Sequence, residues 1–205
     1  MLKQLVQTTL FNPMLAAQQI IALGIKRETL WMALALAAVL NALLFSLVFQ
    51  AAPPAPLEAL TPEEAAQAAF LMRIMGSPAI VSIAVVASLV VSVFTFYWGG
   101  LMLKGQGRLV DVLAIVTWWQ FLVLAASALL MALSFVSATL ASLVSIGANI
   151  WELFVLSGLL SGVHKFGHPF KGLAVIVLSI AMMVVGLLFF FTLIALFGPV
   201  EVAHV

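Results

Sequence analysis

The residues of this chain that could do chemistry are a few polar side chains inside long apolar segments, and Glu152 stands out among them. A helical rise of 1.5 Å per residue places Glu152 roughly 18 Å from His164, near the midplane of a bilayer core about 30 Å thick. An ionised acid at that depth costs about 2.5–3.5 kcal/mol, so the protonated form and an inward orientation are favoured. With Gln120 and Asn41, which lie deep in two other segments, Glu152 is a candidate proton or cation site.

A structural interpretation of Glu152 stays open beside this one. If its segment begins near Ala148, Glu152 lies close to the outer interface, or it simply hydrogen-bonds another helix. Convergence of Glu152, Gln120 and Asn41 on one cavity would favour transport. Separate helix contacts would favour a structural role.

A second cluster of polar residues follows at His164 and His168, which have the i, i+4 spacing of a metal pair. Gly167 and Pro169 interrupt the helix that would present them, and no third ligand lies nearby in sequence. We therefore predict no metal site. The neighbouring basic residues fit a surface that contacts anionic lipid headgroups, and the predicted contacts are Lys104, Arg108, Lys165 and Lys171.

Catalytic motifs are absent from the sequence: it has no serine-histidine-acid set and no nucleotide-binding motif. The lack of cysteine excludes disulfides, thiolate metal sites and cysteine nucleophiles. A net charge of +1 argues against nucleic acid as a partner. We expect a protein that is not an enzyme, with no catalytic residues and no cofactor. An intramembrane enzyme would need a second titratable group near Glu152, and none lies within the predicted spans.

The composition requires lipid as the main solvent. The 205 residues are 65% hydrophobic and 7% charged, against roughly 25% charged in soluble domains. The fold class is therefore all-α, a polytopic membrane helix bundle. Charge-free stretches predict five spans, at about 30–49, 78–101, 111–133, 143–163 and 172–197. The domain boundaries are an N-terminal amphipathic segment 1–28, a five-helix transmembrane domain 29–200 and a tail 201–205.

The connections between spans have their own signals. Thr61-Pro62-Glu63-Glu64 combines a hydroxyl cap, a first-turn proline and acids, which predicts a short helix before span two. The uncharged region Ser134–Gly147 is interpreted as a tight turn between spans three and four.

Basic residues decide the predicted orientation. Five spans place the two termini on opposite sides, and nearly all the cations then share the side of the N-terminus. The positive-inside rule makes that side cytoplasmic and the C-terminus external. The cations on that side are Lys3, Lys26, Arg27, Lys104, Arg108, Lys165 and Lys171, and Arg73 is the exception.

Helix-contact signals occur at both ends of the chain. Asn12-Pro13 predicts a cap and first turn, followed by about three turns with Met14, Ala17, Ile21 and Ile25 on one face. Such a helix either lies in the membrane interface or packs under the bundle. In span four, Gly158 and Gly162 form a small-residue face that favours close helix contact, either within the bundle or in self-association.

These features together resemble the Yip family (Ypt-interacting proteins), in its short bacterial form. The resemblance rests on the Asn12-Pro13 segment before span one, the five spans, the link from Gly99-Gly100 to Gly107, and Ile150-Trp151-Glu152-Leu153 continuing to Gly158 and His164. Family members often carry a tyrosine and a proline early in span three, where this chain has Trp118, Trp119 and Gln120.

The resemblance implies a bacterial cytoplasmic (inner) membrane protein without catalytic residues. Eukaryotic relatives contact small GTPases and shape membranes, but no long N-terminal region is present here, so we expect no GTPase partner. We expect membrane lipids and other membrane proteins as partners. The leading hypothesis is a non-enzymatic protein that organises or accompanies other membrane components, for example as an accessory subunit. The alternative is a small transporter, channel or lipid-moving protein that uses the intramembrane acid.

Overall fold

The computed structural model describes residues 2–51 and 61–197, and over those residues the chain is all-helical. Five of the helices are long and apolar enough to cross a membrane, namely α3, α5, α6, α7 and α8. The predicted tail 201–205 lies outside the described residues. The helices are α1 (Leu2–Phe11), α2 (Pro13–Ala22), α3 (Arg27–Ala51), α4 (Pro62–Met75), α5 (Pro78–Met102), α6 (Leu109–Ser134), α7 (Ala138–Val163) and α8 (Pro169–Phe197).

The five long helices alternate in direction, which gives the bundle two different ends. At one end, which we call the basic end, α5 and α7 finish and α6 and α8 begin. At the other, the α4 end, α4 lies between α3 and α5. The helix α4 starts as predicted with a capping box, in which Thr61 and Glu64 bond each other's backbone N–H. Most described cations therefore lie at one end of the molecule.

The buried core occupies the half of the bundle nearer the basic end. Six consecutive residues of α6, 112–117, are buried, as are residues 155–163 of α7. A helix buried on every side is surrounded by other helices. In the other half, most residues of α7 and α8 are exposed or half-buried. The apolar face of that half is turned toward lipid.

The N-terminal helices pack against the bundle. Asn12 caps α2 as predicted, its Oδ1 accepting the Leu15 N–H at 3.2 Å. The buried face differs from the expected one, since it consists of Pro13, Ala16, Ala17 and Ile20, and Ile25 is exposed. Of the two interpretations, the structure favours a helix packed on the bundle, where small residues allow close approach.

The connection between α6 and α7 is shorter than the predicted turn Ser134–Gly147. The helix α6 ends at Ser134 and α7 begins at Ala138, so most of that region is helical and Glu152 lies in the middle of its helix. The polar residues do not break the helix, because Ser142 and Ser145 donate to carbonyls in the preceding turn. Span four therefore begins earlier than predicted.

Candidate functional site

Two of the three predicted intramembrane polar residues meet at a cavity in the α4-end half. Asn41 and Gln120 both line this cavity, which has a volume of about 1000 Å³. The Asn41 Nδ2 donates to the Ala37 carbonyl oxygen at 3.0 Å. Gln120 is 7% exposed. Of the two arrangements considered from sequence, this pair of residues shares a cavity.

Glu152 lies apart from the cavity. It is half-buried on α7 and is not among the cavity-lining residues. Both Gln120 and Glu152 lie about 17 Å along their helices from the basic end, by the rise of an α-helix. The two groups therefore share a depth in the membrane without sharing a cavity.

The most tightly built site is at the basic end, around His164. The imidazole is 1% exposed. Its Nδ1 accepts the Gly107 N–H at 3.3 Å, and its Nε2 lies 3.3 Å from the Phe96 carbonyl oxygen. Because Nδ1 accepts, Nε2 carries the proton and donates to Phe96, so these bonds select the neutral ring.

Three glycines leave the room that this ring occupies. A Cβ on Gly100 would collide with the imidazole, and a Cβ on Gly105 or Gly107 would lie 2.6 Å or 2.7 Å from Nδ1. The Phe166 ring stacks on the imidazole at a centroid distance of 5.4 Å. Burial lowers the pKa of His164, although the hydrogen bond to Phe96 opposes that shift. The ring thus ties α7 to the link between α5 and α6.

The two helices that meet at His164 end in the same way. The residues in the left-handed backbone conformation are Lys104 after α5, with φ 63°, and Lys165 after α7, with φ 57°. In each case the backbone N–H groups of the lysine and of the next residue donate to carbonyls of the last turn, at 2.8–3.3 Å. This is the Schellman motif, in which the residue with the left-handed conformation is usually glycine.

The start of α8 is joined to α7 by hydroxyl groups. Ser161 Oγ accepts the Gly172 N–H at 2.8 Å and donates to the His168 carbonyl oxygen at 2.9 Å. Ser157 Oγ donates to the Pro169 carbonyl oxygen at 2.6 Å. A Cβ on Gly172 would collide with the Ser157 carbonyl, so the two helices cross at backbone contact.

Nearly the whole chain is similar to one known family. The family model of the Yip1 domain matches residues 8–197. The chain belongs to the Yip1 family. The match extends from within α1 to the last described residue of α8, so it includes the His164 site, the cavity and all five long helices. No curated protein and no solved structure matches the chain.

The small-residue face of α7 in this Yip1 domain is filled from within the chain. A Cβ on Gly158 would collide with Pro13, and a Cβ on Gly162 would lie 2.6 Å from both the Ala17 Cβ and the Met14 carbonyl oxygen. The close helix contact predicted for these glycines is therefore made with α2. Self-association stays a prediction and needs another face.

The four predicted lipid-contacting cations are all exposed at the basic end. The Arg108 Nε lies 3.7 Å from the Asp111 Oδ2, and the Lys171 Nζ lies 5.7 Å from the centre of the Phe166 ring. Lys104 and Lys165 follow helix C-termini, where the helix dipole favours positive charge. Their placement agrees with a surface that faces headgroups, and lipid contact itself stays a prediction.

Two site residues were not found from sequence. The sequence indicates His164 only as one member of a possible metal pair, and the signal that could have located its site is the group of glycines around it, Gly100, Gly105 and Gly107. Thr9 was not singled out, yet its Oγ1 accepts the Trp118 Nε1–H at 3.1 Å and ties α1 to α6. The predicted absence of a metal site stays a prediction; among the described residues no group of three metal-binding side chains occurs.

Proposed function

We propose that this Yip1-family protein is a non-enzymatic membrane component that organises or accompanies other membrane components. The observation that supports this proposal best is the separation of Glu152 from the cavity. Among the residues that the structure describes, the cavity wall includes no titratable side chain, and such a group would be needed to couple transport to protons or to drive acid–base chemistry. At the basic end, the polar contacts of His164, Ser157 and Ser161 join one element of the chain to another.

The surface of the α4-end half supports a partner within the membrane. Phe189, Phe190 and Phe191 of α8 are 65%, 57% and 62% exposed. The connections between α5 and α6, α6 and α7, and α7 and α8 are only a few residues long. Within the described ranges, a partner therefore finds far more apolar helix surface than polar loop surface.

Copurification tests this proposal. A photoreactive amino acid at Phe190 should crosslink one defined membrane protein in cells, whereas the same group at the buried Val175 should crosslink none. Isolation in a mild detergent should recover the same partner. If the protein is solitary in every detergent and Phe190 captures only lipid, the accessory role is wrong.

We further propose that the basic end faces the cytoplasm of a bacterial inner membrane, by the positive-inside rule. The chain has no cysteine, so single cysteines report orientation without a background. Gln106→Cys at the basic end should resist an impermeant maleimide on intact cells, and Gln67→Cys on α4 should react. The opposite pattern would reverse the orientation.

A transport function is the second candidate, because Asn41 and Gln120 share one cavity. It predicts that Glu152→Gln changes flux in vesicles even though Glu152 lies outside that cavity. If insertion, assembly and activity are all unchanged in this variant, Glu152 is not a proton site.

A further inference from the structure

The cavity between α3, α4, α5, α6 and α7 is a space of lipid size in a part of the molecule that lipid surrounds. Its lining extends from Asn41 and Gln120, deep in the bundle, to Ser134 and Ala138 at the α4 end. The volume of about 1000 Å³ lies at the upper end of the roughly 300–1,000 Å³ of small-molecule sites. Leu, Val, Ile, Phe, Met and Ala side chains form most of the wall. A molecule with a large hydrocarbon part fits this environment.

The described lining of the cavity offers no charge that would stabilise a charged occupant. The described residues that line the cavity include no Asp, Glu, Lys, Arg or His. A phosphate or ammonium group inside would lose its hydration without gaining a counter-charge, which is costly. The part of the ligand that enters must therefore be uncharged.

Four serine hydroxyls of the wall offer hydrogen-bond acceptors to the cavity. Serine hydroxyls of the lining donate their single proton to a carbonyl three or four residues earlier in the same helix, at 2.7–3.0 Å, in Ser88, Ser134, Ser142 and Ser145. A hydroxyl has one proton and two lone pairs. Toward the cavity these four serines consequently offer acceptors, to which a ligand O–H group can donate.

Gln120 supplies the strongest polar group of the lining. Its side chain is 7% exposed and faces the cavity. Within the part of the chain that the structure describes, its amide makes no side-chain hydrogen bond. An amide can donate and accept at once, so it can accept a ligand O–H while donating to the ligand oxygen.

From these observations we propose that the cavity binds an uncharged lipid with a free hydroxyl group, of the diacylglycerol class. The ligand hydroxyl bonds Gln120 and the serine oxygens, and its chains pack on the apolar wall. This inference goes beyond the proposed function, because lipid binding and association with a protein partner can fail separately.

Native mass spectrometry of the full chain in detergent micelles tests the proposal with three probes. These are dioleoylglycerol, the same lipid with its hydroxyl acetylated, and dioleoylphosphatidylcholine. We expect one bound dioleoylglycerol, held roughly tenfold more tightly than the acetylated lipid, which is the effect of about one hydrogen bond. Phosphatidylcholine should not displace it.

Two substitutions locate the site. Ala141→Phe fills the cavity and should abolish binding, whereas Ala87→Phe adds the same ring on an exposed α5 position outside the lining and should not. Gln120→Leu keeps the side-chain size and should weaken dioleoylglycerol roughly tenfold without changing the acetylated lipid. Gln67→Leu, on the exposed surface of α4, is its control.

Several outcomes would overturn the proposal. Equal affinity for the acetylated lipid would remove the hydroxyl requirement. Preferred binding of phosphatidylcholine would make the occupant a phospholipid chain. Undiminished binding to Ala141→Phe would place the lipid elsewhere. If Ala141→Phe does not fold, the Gln120→Leu comparison decides the question, since that change adds no volume.

Discussion

The two halves of the bundle are held together in different ways. At the basic end, polar side chains bond across elements, as His164 does to Phe96 and Gly107. At the α4 end, serine hydroxyls bond the backbone of their own helix, as in Ser142 and Ser145. A helix in lipid must satisfy its polar groups in either way, but only the first way fixes one helix against another.

The glycines inside the long helices show the same division. At the basic end a Cβ on Gly100 or Gly172 would meet a neighbouring element at once, whereas a Cβ on Gly147 or Gly186 has nothing within 4 Å. Without a hydrophobic force between helices in lipid, close approach through small residues replaces it. The half at the basic end is thus held in a fixed arrangement, whereas the half at the α4 end leaves space for a ligand or a partner.

The largest expected effect comes from adding a side chain at the closely packed basic end. Gly100→Val drives a branched side chain into the imidazole of His164, and we expect a loss of about 3 kcal/mol of unfolding free energy. Gly186→Val is the control in the open half and should change stability by no more than about 0.5 kcal/mol. Equilibrium unfolding in mixed micelles measures the change in unfolding free energy of both variants. Equal losses would erase the distinction between the halves.

Removing the histidine should cost somewhat less. His164→Leu keeps a buried side chain but leaves the Gly107 N–H and the Phe96 carbonyl unpaired, so we expect a loss of about 2 kcal/mol. The exposed His168 provides the control, since His168→Leu should be nearly neutral. The same unfolding assay applies, and a neutral His164→Leu would show that the backbone bonds form without the ring.

Low pH should lower the stability of the protein through His164. Burial lowers the pKa of His164, so the unfolded chain takes up this proton at a higher pH than the folded one. The stability it contributes is complete above about pH 6.5 and falls as the pH drops below that value, by at most about 1.4 kcal/mol per pH unit.

Unfolding measured from pH 7.5 to pH 5 checks this dependence. The His164→Leu variant should lack this component of the slope, and His168→Leu should retain it. Identical slopes in the parent protein and both variants would show that His164 does not control the acid response.

The smallest effect concerns the helix ends. Lys165 has φ 57°, a conformation that costs a side chain roughly 1 kcal/mol and glycine almost nothing. Lys165→Gly should therefore raise stability by up to about 1 kcal/mol, seen as a higher midpoint of thermal unfolding. Lys165→Ala removes the same charge but keeps the Cβ, and it should bring no gain; a gain in both would point to charge instead.

The spans could be predicted from sequence because their physical cause is local. A bilayer core demands about 20 apolar residues in a row, and charge-free stretches report this directly. The prediction of a turn at Ser134–Gly147 was wrong, because serine and threonine residues indicate a loop only where water surrounds the chain. In lipid the same residues bond the preceding turn, as Ser142 does, and the helix continues.

The His164 site could not be predicted because its cause is not local. Phe96 and Gly107 are far from His164 in sequence, and only the meeting of three chain segments buries the ring. Its neighbours Lys165, His168 and Lys171 are polar or basic, which favours a surface that contacts headgroups and gives no sign of a buried ring. The glycines Gly100, Gly105 and Gly107 carried the signal, since three nearby positions without side chains require something to fill the space.

The contact of α2 with Gly158 and Gly162 has a consequence for assembly in the cell. These glycines lie on α7, so three other spans are synthesised between α2 and its docking groove. During that interval α2 has no final position and its apolar face must be sheltered at the bilayer surface. The docking of α2 is therefore completed only when a late segment of the chain has been made, and a ribosome stalled before α7 would leave the face of α2 that contains Pro13 and Ala17 more accessible to protease than in the finished bundle.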